Sequence, residues 1–326
     1  MEKLRFGIMG AGGIANKFAH AVRLVKAEDG YDVTVEAVSS KSMERARSFA
    51  ERNGIPSAYG SYAEMLARED IDAVYIATTH NFHKENLVQA IGAGKHVLCE
   101  KPMVLNEADA REVFALAEEK GVFLMEAMWS NFLPAIVRAK EWITSGRIGD
   151  VKTAHGAIGF HGGNNTEGRI LNPALAGGAM YDIGVYPIEI LTYLIGEPVK
   201  AASAAVRRHP VTGVDTDLNM VLCYPEADAV IQCSVSCAPR CFLSVTGTGG
   251  IIEINGHEGD RANLFDAGRR PVEEFTSEFP EGNGFVYEIR EVIRCLSEGK
   301  LTSGVMTPDA TIGCCKLYDQ ILRKRD

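Results

Sequence analysis

The chain has 326 residues, with 34 Lys+Arg against 43 Asp+Glu, a net charge of −9 with histidine neutral. This acidic balance argues against a nucleic-acid binder, and a composition of 46% hydrophobic and 24% charged residues excludes a disordered chain. At roughly 100–200 residues per domain, the length allows two domains, each with its own core.

In chain order, residues 4–9 read as a short buried strand that runs into Gly10-Ala11-Gly12-Gly13-Ile14-Ala15, then into an apolar-periodic stretch with Phe18, Val22 and Val25. This is G-x-G-x-x-A between strand and helix. Gly10 makes the tight turn, Gly12 permits close approach of a pyrophosphate, and Ala15 permits helix–sheet packing, with Gly13 and Ile14 opening the helix. The alternation continues with strands at 33–38, 73–77, 96–99 and 122–125 and helices at 42–53, 84–92 and 107–120. Such alternation predicts a parallel, doubly wound α/β sheet, whose ligands lie beyond the carboxyl ends of the strands.

The residues just after each strand therefore carry most of the chemistry. After the second strand stands Ser39-Ser40-Lys41-Ser42, with no acid to hold a ribose 2′-hydroxyl; Glu36 lies inside the strand. Ser40, Lys41 and Arg45 suit a 2′-phosphate instead, which points to NADP(H) rather than NAD; the alternative is a solvated helix start. After the third strand comes Thr78-Thr79-His80-Asn81-Phe82-His83, and after the fourth Cys99-Glu100-Lys101-Pro102. A lysine leaving a buried strand is suited to hold a substrate oxygen beside a nicotinamide. His80 and His83 have H-x-x-H spacing but no further ligands, so no metal is expected there.

In the second half, strands are expected at 151–158, 201–207, 218–223, 229–236, 243–246 and 251–254, and helices at 135–145, 186–195, 287–296 and 308–323. Cys233, Cys237 and Cys241 share a parity that puts them on one face of a strand-like segment, as buried thiols rather than a metal site. The eight cysteines at irregular spacings read as reduced thiols. The basic end Arg323-Lys324-Arg325-Asp326 reads as a frayed helix terminus. No apolar run reaches the roughly 18–20 residues of a membrane helix, and the start at Met1-Glu2-Lys3-Leu4 lacks a secretory h-region, so a cytoplasmic protein is expected.

Taken together, Gly10-x-Gly12, Glu100-Lys101-Pro102 and the run from Gly177-Gly178-Ala179-Met180 through Tyr181-Asp182-Ile183-Gly184-Val185-Tyr186 resemble the Gfo/Idh/MocA oxidoreductase family. With Glu126-Ala127-Met128-Trp129, the resemblance is nearest to its dimeric dihydrodiol dehydrogenases, NADP-dependent xylose dehydrogenases and glucose–fructose oxidoreductases. It implies a Rossmann dinucleotide-binding domain (1–125) and a substrate-binding and oligomerisation domain of α+β type (126–326). The latter would have a large, mostly antiparallel, open-faced sheet used for homodimers or higher homo-oligomers. The cofactor side would comprise Gly10, Gly12, Gly13, Ile14, Ser40, Lys41, Arg45, Thr78, His80, Glu100 and Lys101.

The resemblance also implies Lys101 as the catalytic lysine, Asp182 as a polar partner, and Tyr186 where inositol-dehydrogenase-like members have a histidine acid/base. A tyrosine works near neutrality only if a cation such as Lys101 or the oxidised nicotinamide stabilises its phenolate. His83 would orient substrate or pass the proton outward, and Trp129, Phe160 and Arg169 would line the substrate site, against core packing or loop ordering as alternatives. The expected activity is metal-free hydride transfer between NADP(H) and a CH–OH/C=O group of a sugar or cyclic vicinal diol. The alternative is a dinucleotide-sensing regulator without turnover. The chain departs from the family pattern at Thr79, His80 and Asn131.

Overall fold

The structure, a computed structural model, describes residues 3–198 and 200–322. The N-terminal Met1 and Glu2 and the basic end from Arg323 onward lie outside the described residues. Among the described residues the chain forms two compact units, one from residues up to 104 with 108–129 and 279–308, the other from 105–107 with 130–278 and the residues after 308.

In the first unit, strands β1 (Leu4–Met9), β2 (Val33–Ser39), β3 (Ser57–Tyr59), β4 (Ala73–Ile76), β5 (His96–Glu100) and β6 (Leu124–Ala127) form one parallel sheet of order β3-β2-β1-β4-β5-β6. This is the dinucleotide-binding strand order, with its reversal between β1 and β4. Helices α1 (Gly13–Asp29), α2 (Met43–Asn53), α3 (Tyr62–Leu66), α4 (His83–Gly92) and α5 (Glu107–Lys120) alternate with the strands. Every residue of β4 and β6 is buried, as in a sheet covered on both faces.

The short β3 and α3 escape a sequence pattern because three residues between Pro56 and Gly60 show no alternation. Strand β6 starts two residues later than its apolar run. Val122 still donates to Ala117 O to close the end of α5, after Gly121 at φ +63°.

The second unit contains α6 (Pro134–Thr144), α7 (Val185–Ile195) and eight strands. These are β7 (Val151–Gly159), β8 (Lys200–Arg208), β9 (Asp215–Cys223), β10 (Asp228–Ser234), β11 (Phe242–Gly247), β12 (Gly250–Ile254), β13 (Arg261–Asp266) and β14 (Pro271–Thr276). Their order is β14-β13-β12-β11-β7-β10-β9-β8, with only the β10–β7 pair parallel. Helices α6 and α7 pack on one face. On the other, alternate residues such as Asp228, Val230 and Gln232 of β10 are exposed, the pattern of an open-faced antiparallel sheet. Strand β14 was hidden in sequence by its leading proline and acidic pair, features of an edge strand.

Helices α8 (Phe285–Ser297) and α9 (Pro308–Leu322) close the described chain; α8 returns to the first unit and packs on α1. One expectation needs correction. Strand β10 stops at Ser234, so Cys233 is buried while Cys237 and Cys241 lie exposed in the loop that follows. Strand parity ends with the strand, and the three thiols share no buried face.

Candidate active site

Backbone geometry at the β1–β4 reversal is set by Gly10. It sits at φ +106°, and a Cβ there would lie 2.6 Å from Ala77 O, so only glycine lets the turn pass this close to the end of β4. Gly12 then starts α1 with no side-chain cap, and no acid occupies the first turn. Nothing lies within 4 Å of where a Cβ would stand on Gly12 or Gly13, and Ala15 is fully buried against the core. Open space in front of uncapped helix amides fits a dinucleotide pyrophosphate.

Register places the remaining first-unit residues on the same sheet edge. Met9 pairs with Ser39 and Ile76, and Ile76 with Cys99, so Gly10, Ser40, Thr78 and Lys101 all follow strand ends that are level with one another. Buried Ser40 accepts from the amide of Ser42, whose own hydroxyl caps α2 by accepting from Arg45 N at 3.3 Å. Lys41 and Arg45 are exposed, with the Lys41 ammonium 3.9 Å from the centre of the Phe82 ring. Glu36 is occupied elsewhere, accepting from Thr34 and pairing with Lys3 at 3.8 Å.

Thr78 and His83 form a clasp between the β4 and β5 loops. His83 is fully buried; its Nδ1 lies 2.9 Å from Pro102 O and its Nε2 3.1 Å from Thr78 O, while Asn86 donates to the Thr78 hydroxyl. Burial pushes the imidazole pKa down against the pull of those carbonyls, and the Lys101 charge adds to the lowering. His80, also buried, packs edge-on to His83 with ring centres 5.7 Å apart.

Glu100 precedes Lys101 and is buried, accepting a hydrogen bond from the Tyr75 hydroxyl and another from the Lys101 amide. Burial raises its pKa, although Tyr75 and Lys101 favour the ionised form. Trp129, half-buried, lies 5.5 Å from the Phe285 ring.

In the second unit, the Gly177-Gly178 run leads into a single wide helical turn, Met180–Gly184, with i→i+5 character, continuous with α7. Such turns are rare and concentrate at functional sites. Asp182 is buried and paired with the half-exposed guanidinium of Arg169, so the loop residue and the helical carboxylate are joined. Tyr186, on the first turn of α7, is 9% exposed, and its ring lies 4.5 Å from that of His257. Neighbouring Tyr181 instead donates to Leu105 O, and burial holds its pKa far above the ordinary phenol value. Phe160 is exposed, with its amide tied to Ser234 O.

Residues 4–128 match the pattern described as oxidoreductase family, NAD-binding Rossmann fold, and residues 136–253 match the GFO/IDH/MocA C-terminal domain. The chain belongs to the Gfo/Idh/MocA oxidoreductase family. Within it, the chain is 35% identical over 308 residues to trans-1,2-dihydrobenzene-1,2-diol dehydrogenase of Mus musculus, covering 93% of this chain and 91% of that protein. Against the Homo sapiens protein of the same name the identity is 32%, with the same coverage. Among solved structures it shares its fold with levoglucosan dehydrogenase in complex with NADH and levoglucosan, at a TM-score of 0.90 and 20% identity over 98% of this chain and 96% of that one. A 3-ketoreductase from Actinomadura kijaniata in complex with NADP and TDP-benzene aligns at a TM-score of 0.85 and 24% identity, covering 98% and 97%.

As a member of this family the chain is an oxidoreductase with an NAD-binding Rossmann fold. Three residues of structural consequence had no sequence signal: Asp215, His257 and Glu288. Each meets its neighbours across long separations, Asp215 with Met180, His257 with Tyr186, and Glu288 with Glu100.

Proposed function

We propose that this chain is an NADP(H)-dependent dehydrogenase or reductase that interconverts CH–OH and C=O in a cyclic vicinal diol or a sugar. What carries this proposal is identity of 32–35% over nine-tenths of the chain to proteins named as dihydrodiol dehydrogenases. The lack of an acid in Ser40-Lys41-Ser42, directly after β2, with Ser40, Lys41 and Arg45 offering donors there, supports NADP over NAD.

When bound, the dinucleotide supplies or accepts the hydride. Gly10, Gly12, Gly13 and Ile14 would hold its pyrophosphate, and Thr78, His80 and Glu100 would shape the edge where the nicotinamide half lies. Lys101 would stabilise charge that develops on a substrate oxygen, and Tyr186 would serve in proton transfer. Asp182, fixed by Arg169, positions a substrate hydroxyl, with Trp129 and Phe160 offering aromatic surface to an apolar ring. His83, with both ring nitrogens against backbone carbonyls, supports this scheme as a residue that holds the Lys101 loop in place.

The functional division would fall near residue 125, with cofactor chemistry before it and substrate chemistry after. The protein would work in the cytoplasm as a homodimer or higher homo-oligomer through the open face of the eight-stranded sheet, where Val230 is exposed. Among the described residues no helix is long and apolar enough to cross a membrane. The test is a screen of trans-dihydrodiols, aldoses and inositols with NADP⁺ and NAD⁺, followed at the absorbance of the reduced nicotinamide. Cofactor binding without turnover of any of these would instead favour a dinucleotide sensor.

A further inference from the structure

We infer that Asp215, the first residue of β9, is a positioning residue whose buried carboxylate fixes the start of the helix carrying Asp182 and Tyr186. The inference rests on the proposed roles of those two residues. Asp215 is 3% exposed, and its Oδ2 accepts from the Met180 amide at 2.6 Å, with the Ala179 amide also bonded to the carboxylate. The helical segment that starts there has no side-chain cap of its own. Its cap comes from a strand 35 residues away. A carboxylate at this end satisfies amides that the helix leaves unpaired, and it opposes the positive end of the helix dipole.

Two glycines make this reach possible. Gly178 stands at φ +122°, and a Cβ on it would overlap the Asp215 carboxylate. A Cβ on Gly177 would lie 2.7 Å from the carbonyl oxygens of Arg169 and Ile170. The chain thus passes between the Arg169 loop on one side and Asp215 on the other, with Gly178 donating to Ile170 O and accepting from the Asp182 amide. Local capping by a side chain at 178 would fill the space that the carboxylate needs.

The consequence concerns direction. Asp182 and Tyr186 are four residues apart, neighbours on one face of a regular helix, but the wide turn Met180–Gly184 changes the angle between them. That angle holds only while the turn is held, and Asp215 holds its first amides. Arg169 joins the same junction through Asp182, so loop, turn and strand share one anchor. Losing the anchor would leave the chemistry of each side chain intact and spoil its aim.

The experiment compares wild type, Asp215→Ala and Asp215→Asn by steady-state kinetics, NADPH binding, and amide hydrogen exchange of peptides spanning 177–184. For Asp215→Ala, kcat should fall about 100-fold, the loss expected of a misplacement near 1 Å. NADPH affinity should stay within about twofold, because the loss is one of substrate-side transition-state contacts. Exchange across 177–184 should accelerate. Asp215→Asn keeps one acceptor and should lower kcat by only about tenfold from wild type, with intermediate exchange.

Wild-type kcat in Asp215→Ala, or unchanged exchange across 177–184, overturns the inference. Should the alanine variant fail to fold, Asp215→Asn decides alone, and wild-type exchange and kcat in it count against the anchor. If wild type turns over no diol or sugar, the functional proposal fails separately, while the exchange result still decides whether Asp215 holds the turn.

Discussion

The imidazole of His83 bridges two loops, with Nδ1 2.9 Å from Pro102 O and Nε2 3.1 Å from Thr78 O. Carbonyl oxygens only accept, so a neutral ring can donate to one of them at a time. Burial keeps the ring on the neutral side. The clasp therefore sets the loop that carries Lys101 next to the loop that carries Thr78, from inside the first unit.

A pH dependence of stability follows from that ring. Its pKa in the fold is below its unfolded value of about 6.5, so on acidification the unfolded chain takes up the proton first. Stability should rise with pH between the depressed value and about 6.5. Half-buried His96 shifts the same way and adds to the slope. In denaturant titrations at several pH values, His83→Asn should be less stable by about 1–2 kcal/mol and should show a shallower slope. An unaltered slope would mean that His83 is not the titrating group.

Lys101 should separate binding from chemistry. Lys101→Ala is expected to bind NADPH like wild type in a fluorescence titration while losing turnover by about 10²–10³-fold, the usual effect of removing a preorganised charge-stabilising group. Tyr186→Phe should show the same separation, since it removes the hydroxyl and keeps the ring. Unchanged turnover in either variant would remove that residue from the mechanism.

Ser40 tests the cofactor. Ser40→Asp places a carboxylate at the end of β2, which favours a ribose hydroxyl and repels a 2′-phosphate. The ratio of kcat/KM for NADP over NAD should drop by at least about tenfold. A ratio equal to wild type would refute the role assigned to this corner.

Glu288 tests a hidden cost. It is fully buried on α8, neither carboxyl oxygen has a hydrogen-bond partner among the described residues, and burial together with the Glu100 charge raises its pKa well above the ordinary range. The fold holds a proton that the unfolded chain releases, so stability is lost as pH climbs above the usual carboxylate range. Glu288→Gln keeps the volume without a group to ionise. It should be more stable than wild type near neutral pH by about 1–3 kcal/mol, with the gap narrowing toward pH 5. Equal stability at both pH values would show that Glu288 finds a partner through water.

Much of the Rossmann half was legible because its signals are local. A glycine turn between a strand and a helix, and the polar residues at successive strand ends, are encoded within a few positions of one another. The edge strand β14, its neighbour β13 and the three-residue β3 were not, because partial exposure or brevity erases their alternation. The cysteine pattern misled for the same reason: Cys237 and Cys241 keep the parity of β10 beyond the point where the strand ends.

The sequence by itself determined the alternating α/β half, the glycine turn between β1 and α1, the polar strand ends from Ser40 to Lys101, and the family to which the chain belongs. Only the tertiary structure decided that Arg169 pairs with Asp182, that Tyr186 lies against His257, and that Asp215 caps a helix begun 35 residues earlier. Backbone preferences act over a turn or two and leave a pattern along the chain. Pairing of buried charge depends on which distant segments folding brings within about 3 Å, and spacing along the chain does not record it.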